Sequence, residues 1–323
     1  MTNQKIVALG LAFAALLSLP LWAGGVFYVN VASQILIYAI FALGLNILVG
    51  YAGLVSLGHA GLFGLAAYAT AIALAAGFGQ GAATIIALGV TIAGTAVFAG
   101  LALRASGIGF IMITLALGQI LWGLAYRWIS LTGGDNGVNV TARPAPFGLS
   151  LAGAGAFYYA TLAIFLVALA GVAIFVHSPF GASLKGARDQ PRRMNALGYH
   201  VWLIKFYACL FSGLLSGIAG ILFVDYNQFI SPHALALTAS AEVLLMVISG
   251  GAGTLLGPLV GATLVIVIKN VASAYIERWN LLLGAIFVLI VIFMPEGLVP
   301  GTARLWRLLR AGPRPAPAPG KLP

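Results

Sequence analysis

The side chains able to do chemistry are few. The 323 residues include four histidines, one cysteine and six carboxylates. His59, His177, His200 and His233 are isolated from one another, and none has the spacing of a metal site. Cys209 has no second cysteine to pair with. There is no HExxH, GxSxG or CxxC, and no glycine-rich phosphate loop ending in Gly-Lys-Ser/Thr. An intramembrane protease or transferase needs a nucleophile or a metal pair, and no credible pair is present. Ion-coupled carriers keep ionisable groups inside the bilayer. Asp225, Glu242, Lys269 and Glu296 are expected at or near span ends. That leaves His59 as the one ionisable group expected within a span, with a packing or interfacial role as its simpler reading. The chain therefore lacks its own energy source. It is read as a non-enzyme that binds no cofactor, and a pore without an engine implies an engine on another subunit.

The elements that must position these residues are set by composition. The chain is 62% hydrophobic and 7% charged, with mean hydropathy +1.07. A soluble domain carries about 25% charged residues, so a water-soluble enzyme of this length is excluded. The lone cysteine excludes a disulfide scaffold, and the apolar content excludes disorder outside the tail. The net charge of +10 does not imply nucleic acid, because Lys and Arg collect on the cytoplasmic side of membrane proteins.

No charged residue occurs from Ile6 to Leu103. At about 20 residues per crossing this stretch holds about four spans. The predicted fold is all-α and polytopic, with about ten transmembrane helices and eight to ten allowed. The expected spans are Ile6–Trp22, Val31–Val49, Leu54–Ala76, Ala83–Leu103, Gly109–Trp128, Phe157–Val176, Leu203–Val224, Ala239–Ser249, Leu255–Asn270 and Asn280–Phe293. The first is read as a span rather than a cleaved signal peptide. With ten spans, 12 of the 16 Lys and Arg fall on the side of the two termini and 4 on the other. Both termini and the loop 178–202 are then cytoplasmic, and the loop 129–156 is periplasmic. Residues 1–303 form the transmembrane domain. Residues 304–323 form a tail, first basic and suited to the membrane surface, then Pro-rich and disordered.

Glycine occurs 42 times. Small residues let helices approach closely in lipid, and Gly58, Gly61, Gly64 and Gly213, Gly217, Gly220 are spaced for such contacts. The stretch from Gly250 to Gly261, with Gly251, Gly253, Thr254, Gly257 and Pro258, cannot be helical throughout. A chain break at membrane depth and an ordinary hairpin turn both fit it.

The cytoplasmic loop holds a dense charged segment. Asp189 is a possible N-cap, Pro191 suits a first helical turn, and Gly198 ends about two turns from Gln190 to Leu197. Met194 and Leu197 would share one face. A rigid knob for a cytoplasmic partner and a solvated positive loop both fit these residues.

At this loop the chain resembles the coupling segment of ABC importer permeases. More closely, it resembles the M-type subunit of the branched-chain amino-acid ABC transporter permease family. Three blocks carry the resemblance: Leu45 to Ala60, Gly181 to Gly220, and Gly250 to Gly261 followed by Met294-Pro295-Glu296-Gly297-Leu298. The resemblance implies a subunit of the bacterial inner membrane that pairs with a second, homologous permease in membrane lipid. Two cytoplasmic ATPase subunits would dock on the coupling loops and use the ATP. A periplasmic binding protein would deliver substrate. Arg188, Asp189, Gln190, Arg192, Arg193, Met194, Ala196, Leu197 and Gly198 fall in the coupling segment. Pro191 departs from the Glu or Ala that many members carry there. Asn46, Gly50, Gly53, Ser56, Gly58 and His59 of the first block are expected to serve packing or the pathway, as are Gly250, Gly251, Gly253, Thr254, Gly257 and Pro258. No substrate-contacting residue follows from the resemblance. Importers of urea, short-chain amides or other amino acids share much of the pattern. A self-sufficient carrier using His59, Asp225 or Glu242 and a structural membrane protein are the remaining alternatives.

Overall fold

Lipid offers nothing to bond a bare peptide group, so an apolar run must satisfy its own backbone, and the helix does this locally. The computed structural model describes residues 20, 25–140, 153–275, 279–294 and 296–302. Helix α1 covers Val26–Asn46 and runs on as a π-helical segment, Ile47–Ala52. Then follow α2 (His59–Ala75), α3 (Gln80–Ala102), α4 (Ile108–Arg127) and the short α5 (Ile129–Thr132). Strand β1 (Val138–Asn139) precedes α6 (Ala154–His177), α7 (Pro179–Asp189) and α8 (Pro191–Ala196). Helix α9 covers Val201–Asn227. It is followed by β2 (Phe229–Ile230), α10 (Leu237–Gly250), α11 (Gly257–Tyr275) and α12 (Trp279–Phe293).

Five segments are long and apolar enough to cross a membrane: Val26–Ala52, α3, α4, α6 and α9. Helices α2 and α10 and the Gly257–Ala272 part of α11 are shorter apolar helices. The protein is a multi-pass helical membrane protein. Helix α1 is central, packed by α6, α9, α10 and α11, and Leu36, Ile37, Ile40 and Leu45 keep almost no accessible surface. Glycine lets α9 meet its neighbours: a Cβ at Gly213 would strike Thr95, and one at Gly220 would strike the Phe63 carbonyl. Ile85, Ile108, Val167 and Ile174 point outward from the bundle.

Several boundaries differ from the sequence expectation. The second span does not stop at Val49 but widens into the π-helical segment, ended by Gly53 at φ +68°. Helix α2 begins at His59 rather than Leu54, so Ser56 and Gly58 lie in a non-helical entry segment. The reason is local. Gly53 turns the chain, and the Leu54 N–H bonds back to the Leu48 carbonyl at 2.8 Å. The all-α reading also missed the antiparallel pair β1–β2, which joins Val138 to Ile230. The expected first span, apart from Pro20, and the tail 304–323 lie outside the described residues, as does part of the loop 129–156.

The bundle has two distinct ends. The β1–β2 pair and the Gln80–Asp225 hydrogen bonds mark one. The π-helical segment, α7 and the 251–256 connection gather at the other.

Candidate functional site

Outside the bundle, α7 and α8 form a two-helix projection. Ser178 caps α7, its Oγ accepting from the Gly181 N–H at 3.2 Å, and Pro179 fills the first turn, where no N–H is needed. Leu184 and Ala187 are buried, which seats α7 against the bundle. Helix α8 buries no residue. Its Pro191 also stands in a first turn, but the N-cap is Gln190, not Asp189. Asp189 closes α7, and its carboxylate accepts from Arg188 Nε at 2.8 Å, so it is occupied elsewhere. The end of α8 is a Schellman motif: Gly198 (φ +87°) donates to Asn195 and Tyr199 to Met194, each at 3.0 Å. Met194 and Leu197 do not share a surface. Met194 leans on Gly186, where a Cβ would lie 2.9 Å from its sulfur, while Leu197 is 66% exposed. Arg192, Arg193, Ala196 and Leu197 therefore face outward on a projection with fixed ends.

The projection is wired to the bundle through Arg188. Its Nη1 donates to the Gly50 carbonyl at 2.6 Å, and its aliphatic stem lies against Gly53. Lys185 Nζ sits 5.5 Å above the Tyr51 ring. One turn deeper, Asn46 bridges to the connection between α10 and α11. Its Nδ2 donates to the Thr254 carbonyl at 2.8 Å, and its Oδ1 accepts from the Gly253 N–H at 2.8 Å. Gly50 and Gly253 touch backbone to backbone. Within that connection Thr254 Oγ1 donates to the Gly251 carbonyl at 2.8 Å and accepts from the Gly257 N–H at 3.0 Å. Gly250 packs on the Gly257 carbonyl, and Pro258 is buried in the first turn of α11. Gly251 and Gly253, at φ +115° and +79°, turn the chain and leave room for Gly297 and Pro300. Two widely separated glycine blocks of the sequence thus form one knot under α7.

Gly58 lies against the Thr114 carbonyl, and Thr114 Oγ1 accepts from the Leu57 N–H at 3.2 Å. Ser56 Oγ is buried without a hydrogen-bond partner among the described residues. His59 is fully buried, stacked on Phe41 at 5.6 Å, with Nε2 2.6 Å from Ser216 Oγ. Asp225 accepts two bonds from Gln80 at the far end of the bundle. Glu242 pairs with Lys269. The three groups a self-sufficient carrier would use thus take three separate partners. Among the described residues no three metal-ligating side chains gather.

Sequence reasoning missed a cavity of about 410 Å³ near the β1–β2 end. Phe229, Ser231 and His233 line it at that end. Tyr38, Phe41, Phe63 and Phe223 form a continuous aromatic wall, with Phe63 centred 4.6 Å from Phe41 and 5.2 Å from Phe223. Glu242 and Lys269, 3.2 Å apart, also line it. They do not lie at helix ends: Glu242 is in the second turn of α10 and Lys269 well inside α11. Helix α10 has 14 residues and spans about 21 Å, short of a hydrocarbon core of about 30 Å. The turn before it, Pro232–Leu235, helps line the cavity. The 27-residue separation of Glu242 and Lys269 hid their pairing.

Known proteins resemble this chain along most of its length. The family described as branched-chain amino acid transport system, permease component, matches residues 27–291. The high-affinity branched-chain amino acid transport system permease protein LivM of Escherichia coli K12 is 30% identical over 299 residues, 85% of this chain and 70% of that protein. LivM of Salmonella typhimurium matches equally. The high-affinity branched-chain amino acid transport system permease protein LivH of Escherichia coli K12 is 20% identical over 81% of this chain and 91% of its own. No solved structure matches significantly.

Proposed function

The chain belongs to the branched-chain amino acid transport permease family, and from that premise we propose that it forms half of the membrane pathway of an ABC importer for branched-chain amino acids. The other half is a second permease of related sequence, as the likeness to both LivM and LivH suggests. Two ATPase subunits dock on α7 and α8 and supply the ATP chemistry, while this chain binds no cofactor. A periplasmic binding protein delivers substrate at the β1–β2 end. The protein lies in a bacterial inner membrane, with ten spans and both termini cytoplasmic.

The observation that carries this reading is the exposed two-helix projection held by Arg188 to the knot of Gly50, Asn46 and Gly253. Force applied to α7 and α8 reaches two helix breaks directly. Such breaks are where packed helices can exchange between discrete arrangements. ATP binding by the docked subunits then moves the projection, and the knot passes the displacement to α1, α10 and α11. The test is affinity capture of the tagged protein from native membranes, followed by ATP-driven leucine uptake in proteoliposomes. Recovery of a second permease and ATPase subunits, with uptake that needs ATP, is the expected result. Uptake by this chain alone overturns it.

A further inference from the structure

Importing a free amino acid through an apolar bundle poses an electrostatic problem. The substrate carries an ammonium and a carboxylate, and burying either without a partner costs several kcal/mol or more. The wall of the cavity is aromatic and suits an apolar side chain. Its charges are one of each sign, side by side: Glu242 from α10 and Lys269 from α11, with side chains 20% and 32% exposed. We propose that this pair is a zwitterion-recognition site. Glu242 takes the ammonium of the passing amino acid, Lys269 takes its carboxylate, and Tyr38, Phe41, Phe63 and Phe223 hold the side chain.

The exchange conserves charge. The empty site is an internal ion pair. In the loaded site the same two groups each face an opposite charge of the substrate, so the bundle gains no net charge. The 410 Å³ volume falls in the lower part of the range for small-molecule pockets, about 300–1,000 Å³. A neutral amide such as urea would have no need of either charge. The site rests on the importer reading above and adds the chemistry by which the permease itself selects its cargo.

The complete importer is purified, reconstituted and scored for leucine moved per ATP hydrolysed. The double variant Glu242→Gln/Lys269→Gln removes both charges together and so leaves no unpaired charge behind. The proposal expects an assembled complex whose leucine-to-ATP ratio is at least tenfold lower. A smaller loss overturns it. A structural defect would lower uptake and hydrolysis in step and leave the ratio unchanged, which also overturns it. Should the double variant fail to assemble, the exchanged variant Glu242→Lys/Lys269→Glu restores a pair of reversed polarity. The expected ratio is again at least tenfold lower, because the aromatic wall fixes which end of the substrate meets which charge. A ratio nearer the parent's overturns the site. Parent importer that hydrolyses ATP but moves no branched-chain amino acid overturns the functional reading and the site with it.

Discussion

A methyl group at Gly50 has nowhere to go. It would run into the Gly253 backbone and the Asn46 side-chain amide; the backbone gives little, and the amide is held by its two hydrogen bonds. Overpacking of this kind costs about 1–3 kcal/mol. Gly50→Ala should therefore lower the thermal unfolding midpoint of the solubilised protein by several degrees. Gly89, on α3, has open space around its Cβ position, so Gly89→Ala serves as the control and should leave the midpoint unchanged or slightly higher, alanine being the better helix former. Equal midpoints for the two variants would mean that the knot is loose. The glycine-rich blocks around Gly50 and Gly253 were legible in the sequence as places of close approach. That they approach each other was not, because about 200 residues separate them and spacing reports only on local geometry. Glu242 and Lys269 were missed for a related reason: a span-end assignment follows hydropathy, and hydropathy is blind to two opposite charges cancelling across a helix pair.

Among the elements, α7 and α8 would divide the labour of coupling in the proposed importer. Helix α8 buries no residue, whereas α7 is half embedded and carries Arg188. Docking and transmission should therefore separate by mutation. Arg188→Ala removes the bond to the Gly50 carbonyl while leaving α8 intact. ATPase subunits should still copurify, and leucine uptake should fall tenfold or more. Uptake at the parent rate would place transmission elsewhere. Gly198→Pro acts on the other half. It forces φ near −65°, against the observed +87°, and deletes the N–H that bonds Asn195. Copurification itself should be lost, with membrane insertion unaffected. Asp189→Lys sets a second cation beside Arg188 and should weaken uptake in the same direction as Arg188→Ala. The sequence showed the short helix, its proline start and its glycine stop. It misplaced the cap, since Asp189 and Gln190 both precede Pro191 and only the folded contact with Arg188 shows which is engaged.

For the whole molecule, orientation is the property on which the mechanism turns. The distribution of Lys and Arg predicts a cytoplasmic position for α7 and α8, and the fold puts the β1–β2 pair at the opposite end of the bundle. These two arguments yield one prediction about sidedness. Cys209 is buried, so it can be replaced by alanine to give a silent background. A single cysteine is then placed at Arg193 or at Asn136, both exposed. In intact spheroplasts a membrane-impermeant maleimide should label the Asn136→Cys protein and spare the Arg193→Cys protein. Disrupting the membrane should expose both. The reverse pattern would turn the bundle over, putting the projection beyond the reach of any ATPase and the cavity nearer the cytoplasm, and import in this direction would have to be abandoned. The expected pattern puts the cavity nearer the side where the proposed importer would receive substrate and the Arg188 linkage on the side where it would use ATP, which is the arrangement a one-way importer requires.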